Sequence, residues 1–178
     1  MKKLYLLRHA KSEWDDPELD DFDRPLNERG RRNAQRMAAF LTEVDIQPSL
    51  ILCSAAKRAA ETCDFFKNDS LPVKYEDNLY LASAETLIDY VQHLHDQHQS
   101  VLIVAHNPGL EDLTLEYGRN GDTKFWQQVS FKYPTASIAE LEIDSPSWSG
   151  FKTSNARLVN FVRPKDLSEV ELADSSAQ

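Results

Sequence analysis

The sequence predicts a three-layer α/β/α fold, with a mostly parallel central sheet and helices on both faces. Short apolar runs, typical of buried strands, alternate with segments whose apolar residues recur at helical spacing, which is the pattern of a parallel sheet. Near the carboxyl end two β segments follow each other without a helix, which predicts an antiparallel or edge strand. Hydrophobic residues make up 41% of the 178 residues, enough for one domain with a real core.

The strands are predicted from apolar runs. Three runs are clear: residues 2–7 ("KKLYLL"), "PSLILCS" and "SVLIVAH". A short strand is predicted in "VKYED", and the two late β segments are "TASIAELEID" and "ARLVNFVRP". These elements supply the middle layer of the predicted fold.

Each of four predicted helices begins at a polar residue suited to capping. The predicted caps are Asn27, Ser54, Ser83 and Asn107. Gly118 is the predicted end of the fourth helix. These helices separate the predicted strands and supply the two outer layers.

We expect one domain over residues 1–165, followed by a loose tail over residues 166–178. No apolar run is long enough to span a bilayer. The basic start "MKK" is followed by an apolar run too short for a signal peptide, so a cytoplasmic location is expected. Two cysteines, Cys53 and Cys63, are too few for a disulfide framework and agree with that location.

The charge of the chain limits its partners. The net charge is −9, from 29 acidic and 20 basic residues, which argues against binding along a DNA or RNA backbone. Most of this charge is explained as a solubilising surface. A small basic pocket for an anion remains compatible with it, and neither nucleic acid nor membrane is an expected partner.

Polar residues follow three of the predicted strands at the point where each strand ends. Arg8 and His9 follow the first strand, Arg58 lies one turn into the helix after the second, and His106 ends the third. Parallel strands bring their carboxyl ends to one edge of a sheet, where ligands bind beside helix N-termini that favour anions. The sequence therefore places two arginines and two histidines at one edge.

This residue set suits phosphoryl transfer. A guanidinium group binds phosphate oxygens in a fork geometry and keeps its charge. A neutral imidazole can attack phosphorus and hold the phosphoryl group covalently. A second imidazole can stabilise the charge that develops on the phosphoryl oxygens.

Four motifs resemble the histidine phosphatase (phosphoglycerate-mutase-like) superfamily. "LLRHAKSEWD" resembles its Arg-His-Gly signature, with Ala10 in place of the glycine, and "RPLNERGRRNA" resembles the next block. "LILCSAAKRAAET" and "VAHNPGLEDL" resemble the blocks that supply the second arginine and the second histidine. The motifs occur in family order over the first two thirds of the chain. The short chain is most similar to the small SixA-type phosphohistidine phosphatases.

The resemblance implies a phosphoglycerate-mutase-like fold and a role for each site residue. His9 would be the nucleophile, Arg8 and Arg58 would bind the phosphoryl oxygens, and His106 would complete the site. Ser12 and Asn107 are the further phosphate-binding candidates. The family implies no metal, and no cofactor is expected.

The general acid is the main departure from the family pattern. Larger members carry a glutamate after the third strand to protonate an alcohol leaving group. Glu85 is the only nearby carboxylate, and an acidic residue favoured in a first helical turn is the better explanation of it. A missing acid suits phosphohistidine, whose leaving nitrogen can be protonated before cleavage. We therefore expect a phosphatase acting on phosphohistidine protein, or on another phosphomonoester or phosphoramidate with a good leaving group.

Four other readings stay open on the sequence alone. A metabolite phosphomonoesterase of the same family and a non-catalytic phosphate- or phosphoprotein-binding module both fit the motifs. A cysteine phosphatase fits less well, because Cys53 and Arg58 are spaced Cys-x4-Arg rather than Cys-x5-Arg. A metallohydrolase would have to use the acidic run 13–23 ("EWDDPELDDFD"), which lacks calcium-loop spacing. The role of that run is not predicted.

Overall fold

A computed structural model describes residues 1–167 of the chain. The strands in this part are β1 (Lys2–Arg8), β2 (Leu50–Ser54), β3 (Val73–Glu76), β4 (Ser100–Ala105), β5 (Ile138–Ile143) and β6 (Ala156–Val162). The α-helices are α1 (Glu28–Glu43), α2 (Lys57–Cys63), α3 (Ala84–Gln92), α4 (Gly109–Tyr117) and α5 (Thr123–Phe131). Helix α5 has no counterpart among the predicted helices, whereas the other helices and all the strands do.

All of these strands lie in one mixed sheet, in the order β3-β2-β4-β1-β5-β6. The first four strands of the chain pair in parallel. β5 pairs with β1 antiparallel, and β6 pairs with β5 antiparallel at the edge. The predicted α/β class, its parallel strands and its late antiparallel strand are confirmed.

Side-chain alternation along β1 divides the interior into two cores. Leu4 and Leu6 point into a core shared with α3, α4 and α5. Tyr5 and Leu7 point into a second core, shared with α1 and α2. Because successive strand residues face opposite sides of a sheet, this division gives the predicted three layers.

The start of α1 packs directly on the loop that follows β1. Asn27 caps the helix as predicted, accepting a hydrogen bond from the N–H of Gly30 at 2.8 Å. A Cβ atom at Gly30 would overlap the carbonyl oxygen of Lys11, so only glycine allows this approach. The same oxygen accepts a hydrogen bond from the N–H of Asn27 at 3.0 Å. Helix α1 thus fixes the turn that leaves β1.

Two of the predicted helix caps are wrong. Ser83 caps α3, accepting from a backbone N–H at 3.2 Å. The cap positions of α2 and α4, however, are held by Ala56 and Pro108 rather than by Ser54 and Asn107. The Ser54 hydroxyl instead contacts His106, and the side-chain amide of Asn107 donates to Glu111 and to the carbonyl oxygen of Tyr133.

The carboxyl end of the described chain packs against the domain. Asp166 forms an ion pair with Arg163 at 2.7 Å, and Leu167 packs against the core between the sheet and α1. Both Asp166 and Leu167 fall in the predicted tail, whose remaining residues 168–178 lie outside the described residues. Within residues 1–167, no helix combines the length and apolar character needed to cross a bilayer.

Candidate active site

The residues predicted from the strand ends meet at one edge of the sheet. β4 lies between β1 and β2, and the register pairs Arg8 with Ala105, the residue before His106. This edge opens into a cleft of about 750 Å³. The cleft is lined by Arg8, His9, Lys11, Ser12, Trp14, Asp21, Arg29, Arg58, Leu81, His106, Asn107, Lys132, Pro134 and Thr135. The lining therefore includes six of the seven predicted site residues.

His9 is held with one ring nitrogen unprotonated. Its Nδ1 lies 2.7 Å from the carbonyl oxygen of Ala10, which can only accept, so Nδ1 carries the hydrogen. The lone pair is therefore on Nε2, to which Nε of Arg58 donates at 3.3 Å. Burial lowers the pKa of His9 to about 4, so the ring is neutral at pH 7.

Arg58 is bound by the acidic run as well as by His9. Its Nη1 donates to the carbonyl oxygen of Asp21 at 2.5 Å, and its Nη2 donates to Oδ2 of Asp21 at 3.0 Å. The hydroxyl of Tyr80 donates to the same Oδ2 at 2.5 Å. The hydrogen bond from Tyr80, followed by the charge of Arg58, keeps the pKa of Asp21 below its usual value. The run 13–23 thus places one carboxylate in the cleft.

Buried polar atoms without partners point to an anionic ligand. Nη1 of Arg8 donates to the carbonyl oxygen of Tyr133 at 2.7 Å, but its Nε is buried and unpaired. Nδ1 of His106 is also buried and unpaired. When the Ser54 hydroxyl donates to Nε2 of His106, Nδ1 carries the ring hydrogen and is a donor, as Nε of Arg8 is. Because buried donors in proteins are normally satisfied, these two donors are then suited to phosphoryl oxygens.

The second histidine is packed against the first. The ring centroids of His9 and His106 lie 4.9 Å apart, and the ring of Tyr80 is nearly perpendicular to that of His106, with the centroids 5.5 Å apart. Burial lowers the pKa of His106 to about 3. Both histidines are therefore neutral at pH 7, and the positive charge of the cleft comes from its arginines and lysines.

Two buried hydroxyls support the histidines. Oγ of Ser54 lies 2.8 Å from Nε2 of His106. Oγ1 of Thr62 accepts a hydrogen bond at 2.9 Å from the N–H of Ala10, directly after His9. Ala10 is fully buried and does not have a left-handed backbone, so alanine is accommodated where the family signature has glycine.

The three remaining predicted site residues differ in position. Asn107 donates from Nδ2 to Glu111 at 2.8 Å and to the carbonyl oxygen of Tyr133 at 3.3 Å, leaving its Oδ1 buried without a partner. Ser12 is 5% exposed and lines the cleft. Glu85 is exposed in the first turn of α3 and is not among the lining residues. The structure thus brings together Ser12 and Asn107 with the histidines, but not Glu85.

The structure gives no support to a thiol or metal mechanism among the described residues. Cys53 is fully buried in the core, outside the cleft lining. The adjacent Cys63 and burial together raise the pKa of the Cys53 thiol. Within residues 1–167, no group of three or more His, Cys, Asp or Glu side chains is arranged to hold a metal ion.

Sequence reasoning missed Asp21 and Tyr80. Asp21 is one of several acids in the run 13–23, and no spacing distinguishes it from its neighbours. Tyr80 lies directly after a short 3-10 helix, Asp77–Leu79, which was not predicted. The acidity of the run was the available signal, but its contact with Arg58 depends on the path of the loop.

Comparison with known proteins identifies the family. The sequence model of the histidine phosphatase superfamily (branch 1) matches residues 4–80. An uncharacterized protein of Mycobacterium leprae is 33% identical over 165 residues, covering 89% of this chain and 100% of its own length. The crystal structure of a candidate phosphohistidine phosphatase, SixA, from Agrobacterium tumefaciens has a TM-score of 0.77 at 31% identity, with 92% of this chain and 98% of that chain covered.

A second structure agrees at the level of fold. A protein histidine phosphatase SixA bound to tungstate has a TM-score of 0.73 at 23% identity, with 93% of this chain and 99% of that chain covered. The fold and the His- and Arg-lined cleft thus define a phosphatase, and the chain belongs to the histidine phosphatase superfamily. Within that superfamily it is of the small SixA type.

Proposed function

We propose that the protein hydrolyses phosphohistidine on protein substrates through a phosphohistidine intermediate of its own at His9. The observation that carries the proposal is the geometry of His9, which is neutral and directs Nε2 at Arg58. The unpaired Nε of Arg8 and Nδ1 of His106 supply further contacts for a phosphoryl group. Ser12 and Asn107 line the cleft and are the remaining candidates for phosphate binding.

The mechanism has two steps. In the first, the Nε2 lone pair of His9 attacks phosphorus in line, a P–N bond forms, and the bond from phosphorus to the leaving group breaks. In the second, water attacks the same phosphorus, the bond to Nε2 breaks, and inorganic phosphate leaves. Arg8, Arg58 and His106 stabilise the charge on the equatorial oxygens in both transition states.

The ionised state of the carboxylate in the cleft favours a phosphoramidate substrate over a phosphate ester. Asp21 is the only carboxylate among the described residues that line the cleft, and its lowered pKa keeps it ionised at pH 7. It therefore has no proton to give to an alcohol leaving group. A phosphorylated imidazole carries the required proton on its own ring. The phosphohistidine phosphatase name of the Agrobacterium protein agrees with this preference.

The test compares leaving groups and traps the intermediate. We expect kcat/KM for a phosphohistidine peptide to exceed that for the matching phosphoserine peptide by about a hundredfold or more, the range of general acid catalysis. The trapped phosphoenzyme should be labile in acid and stable in base. His9→Ala should lose it together with turnover, whereas His95→Ala, at an exposed histidine, should keep both.

Two outcomes contradict the proposal. One is an active wild-type enzyme from which no adduct at His9 can be trapped. The other is a phosphometabolite panel in which one member has a higher kcat/KM than the phosphohistidine peptide. The second result would assign the enzyme to metabolite hydrolysis and leave the role of His9 intact.

A further inference from the structure

Two large apolar side chains are exposed in the lining of the cleft, and a third exposed one directly precedes a lining residue in the chain. Trp14 is 64% exposed, Leu81 52% and Phe131 86%. Trp14 and Leu81 line the cleft, and Phe131 directly precedes Lys132, which also lines it. They come from the loop after β1, the turn before α3 and the end of α5. We call Trp14, Leu81 and Phe131 the apolar rim.

Leu81 combines an unfavourable backbone conformation with an exposed apolar side chain. Its φ of 48° lies in the left-handed region, which is unfavourable for a branched side chain. Because its apolar side chain is half exposed, it also contributes little hydrophobic free energy to folding. Strained backbone of this kind is concentrated at binding and active sites, where surrounding structure holds it in place.

The indole ring of Trp14 packs on the guanidinium group of Arg24. The guanidinium carbon of Arg24 lies 4.3 Å from the centroid of the indole ring, and the Arg24 side chain is only 13% exposed. A ring packed on one side loses little conformational entropy when a partner covers its other side. Tryptophan is enriched among the residues that dominate binding energy in protein interfaces.

Unpaired cations lie beside the apolar rim. Lys11, Arg29 and Lys132 are exposed and line the cleft. Within residues 1–167 none of them forms an ion pair. The net charge of the whole chain is −9, so this cluster differs from the surface as a whole. It complements an acidic partner surface and would speed its association.

We propose that the apolar rim and its three cations form a docking surface for a protein whose phosphohistidine is flanked by apolar and acidic residues. This inference rests on the proposed function and specifies its substrate. A metabolite held inside the cleft would leave the exposed parts of the rim unused. A nucleic acid would lack the apolar contacts and would be repelled by the rest of the chain. A protein segment matches both the apolar and the basic features.

The test uses one small substrate and two peptides of equal length. They are the phosphoramidate ion, a phosphohistidine peptide flanked by Leu and Asp, and the same peptide flanked by Ser and Lys. For the wild type we expect kcat/KM to be about tenfold higher with the Leu/Asp peptide, corresponding to the loss of one well-packed contact. Equal values for the two peptides would overturn the docking surface.

The decisive variants are Leu81→Gly and Phe131→Ser. Each should lower kcat/KM for the Leu/Asp peptide at least about threefold and leave phosphoramidate turnover within about twofold of wild type. Leu81→Gly should also stabilise the fold, since glycine adopts the left-handed region without strain. If Leu81 had only a structural role, its replacement would not raise stability and at the same time lower kcat/KM for the Leu/Asp peptide. Val44→Ser, at an apolar residue 44% exposed outside the cleft lining, is the matched control.

The outcomes separate this inference from the proposed function. If the variants lower turnover of all three substrates equally, the rim is part of the catalytic site and the docking surface is wrong. If the wild type hydrolyses none of them, the proposed function fails, and docking is then judged by binding of the unphosphorylated Leu/Asp peptide. Weaker binding to Leu81→Gly than to wild type supports the surface in that case, and equal binding contradicts it.

Discussion

Asp21 accepts from both Nη atoms of Arg58, through its carboxylate and its backbone carbonyl, while Nε of Arg58 donates to His9. The distances are 3.0 Å from Nη2 to Oδ2 and 2.5 Å from Nη1 to the carbonyl oxygen. The negative charge thus lies beside the guanidinium that the proposed mechanism assigns to the phosphoryl group. Asp21 therefore both orients Arg58 and opposes the entry of a second anion.

Asp21→Asn should strengthen inhibition by inorganic phosphate. The amide oxygen can still accept from Arg58 and Tyr80, but it no longer repels a dianion. We expect the inhibition constant to fall about three- to tenfold at low ionic strength, and less at high salt. Asp23→Asn, on the same short helix Asp21–Asp23, makes the same change in net charge outside the cleft lining. An equal effect of both variants would show that overall charge alone is responsible.

Ser54→Ala should reduce kcat while leaving the fold intact. It removes the hydroxyl 2.8 Å from Nε2 of His106, so the ring is free to rotate. We expect kcat to fall about tenfold, with KM little changed, because a buried hydrogen bond is worth about 1–2 kcal/mol. Ser137→Ala is the matched control, since its buried hydroxyl has no partner. A larger loss in Ser137→Ala than in Ser54→Ala would contradict the assignment.

The two histidines should make the protein less stable in mild acid. Burial lowers the pKa of His9 to about 4 and that of His106 to about 3, against about 6.5 in the unfolded chain. Between these values the unfolded chain binds more protons, so the free energy of unfolding falls as the pH is lowered from about 6.5 to 4. Urea unfolding at pH 7 and pH 4.5 measures the difference.

His106→Gln isolates the contribution of that residue to acid sensitivity. The variant should lose less stability than wild type between pH 7 and pH 4.5. It lacks one imidazole that binds a proton in the unfolded chain but not in the folded protein. His95→Gln, at an exposed position, is the matched control. An unchanged pH dependence in His106→Gln would mean that its ring is protonated in the folded protein above pH 4.5.

Cys53→Ala should leave catalysis unchanged. The thiol is fully buried in the core and does not line the cleft. We expect kcat/KM to stay within about twofold of wild type, with a loss of about 1 kcal/mol in the free energy of unfolding from the small cavity. Loss of all activity with an intact fold would revive the cysteine mechanism.

The part of the site that could be predicted consists of residues that follow the carboxyl ends of parallel strands. Arg8, His9, Arg58 and His106 are each close in sequence to the end of a parallel strand, and sheet geometry brings such ends together. Their convergence therefore requires no knowledge of loop conformation. The interpretation of these residues as phosphate-binding and catalytic groups remains a prediction for the experiments above.

The features that were missed depend on tertiary contacts. Asp21 reaches Arg58 only because the loop after β1 folds back over the cleft, and no periodicity encodes that path. Ser54 has the local signal of a helix cap, but its hydroxyl lies against His106, which is distant in sequence. Helix α5, in "TKFWQQVSF", combines aromatic and β-branched residues whose helix propensity is weak, so packing rather than local sequence determines it.

The insertion of β4 between β1 and β2 has a consequence for assembly. Residues 4–80, which carry the family signature, contain Arg8, His9 and Arg58 but not the strand that lies between them. Without β4, the two strands would be separated by a gap of about 10 Å, twice the usual interstrand spacing. In a growing chain the candidate site residues are therefore brought to their folded positions only after β4 has been synthesised.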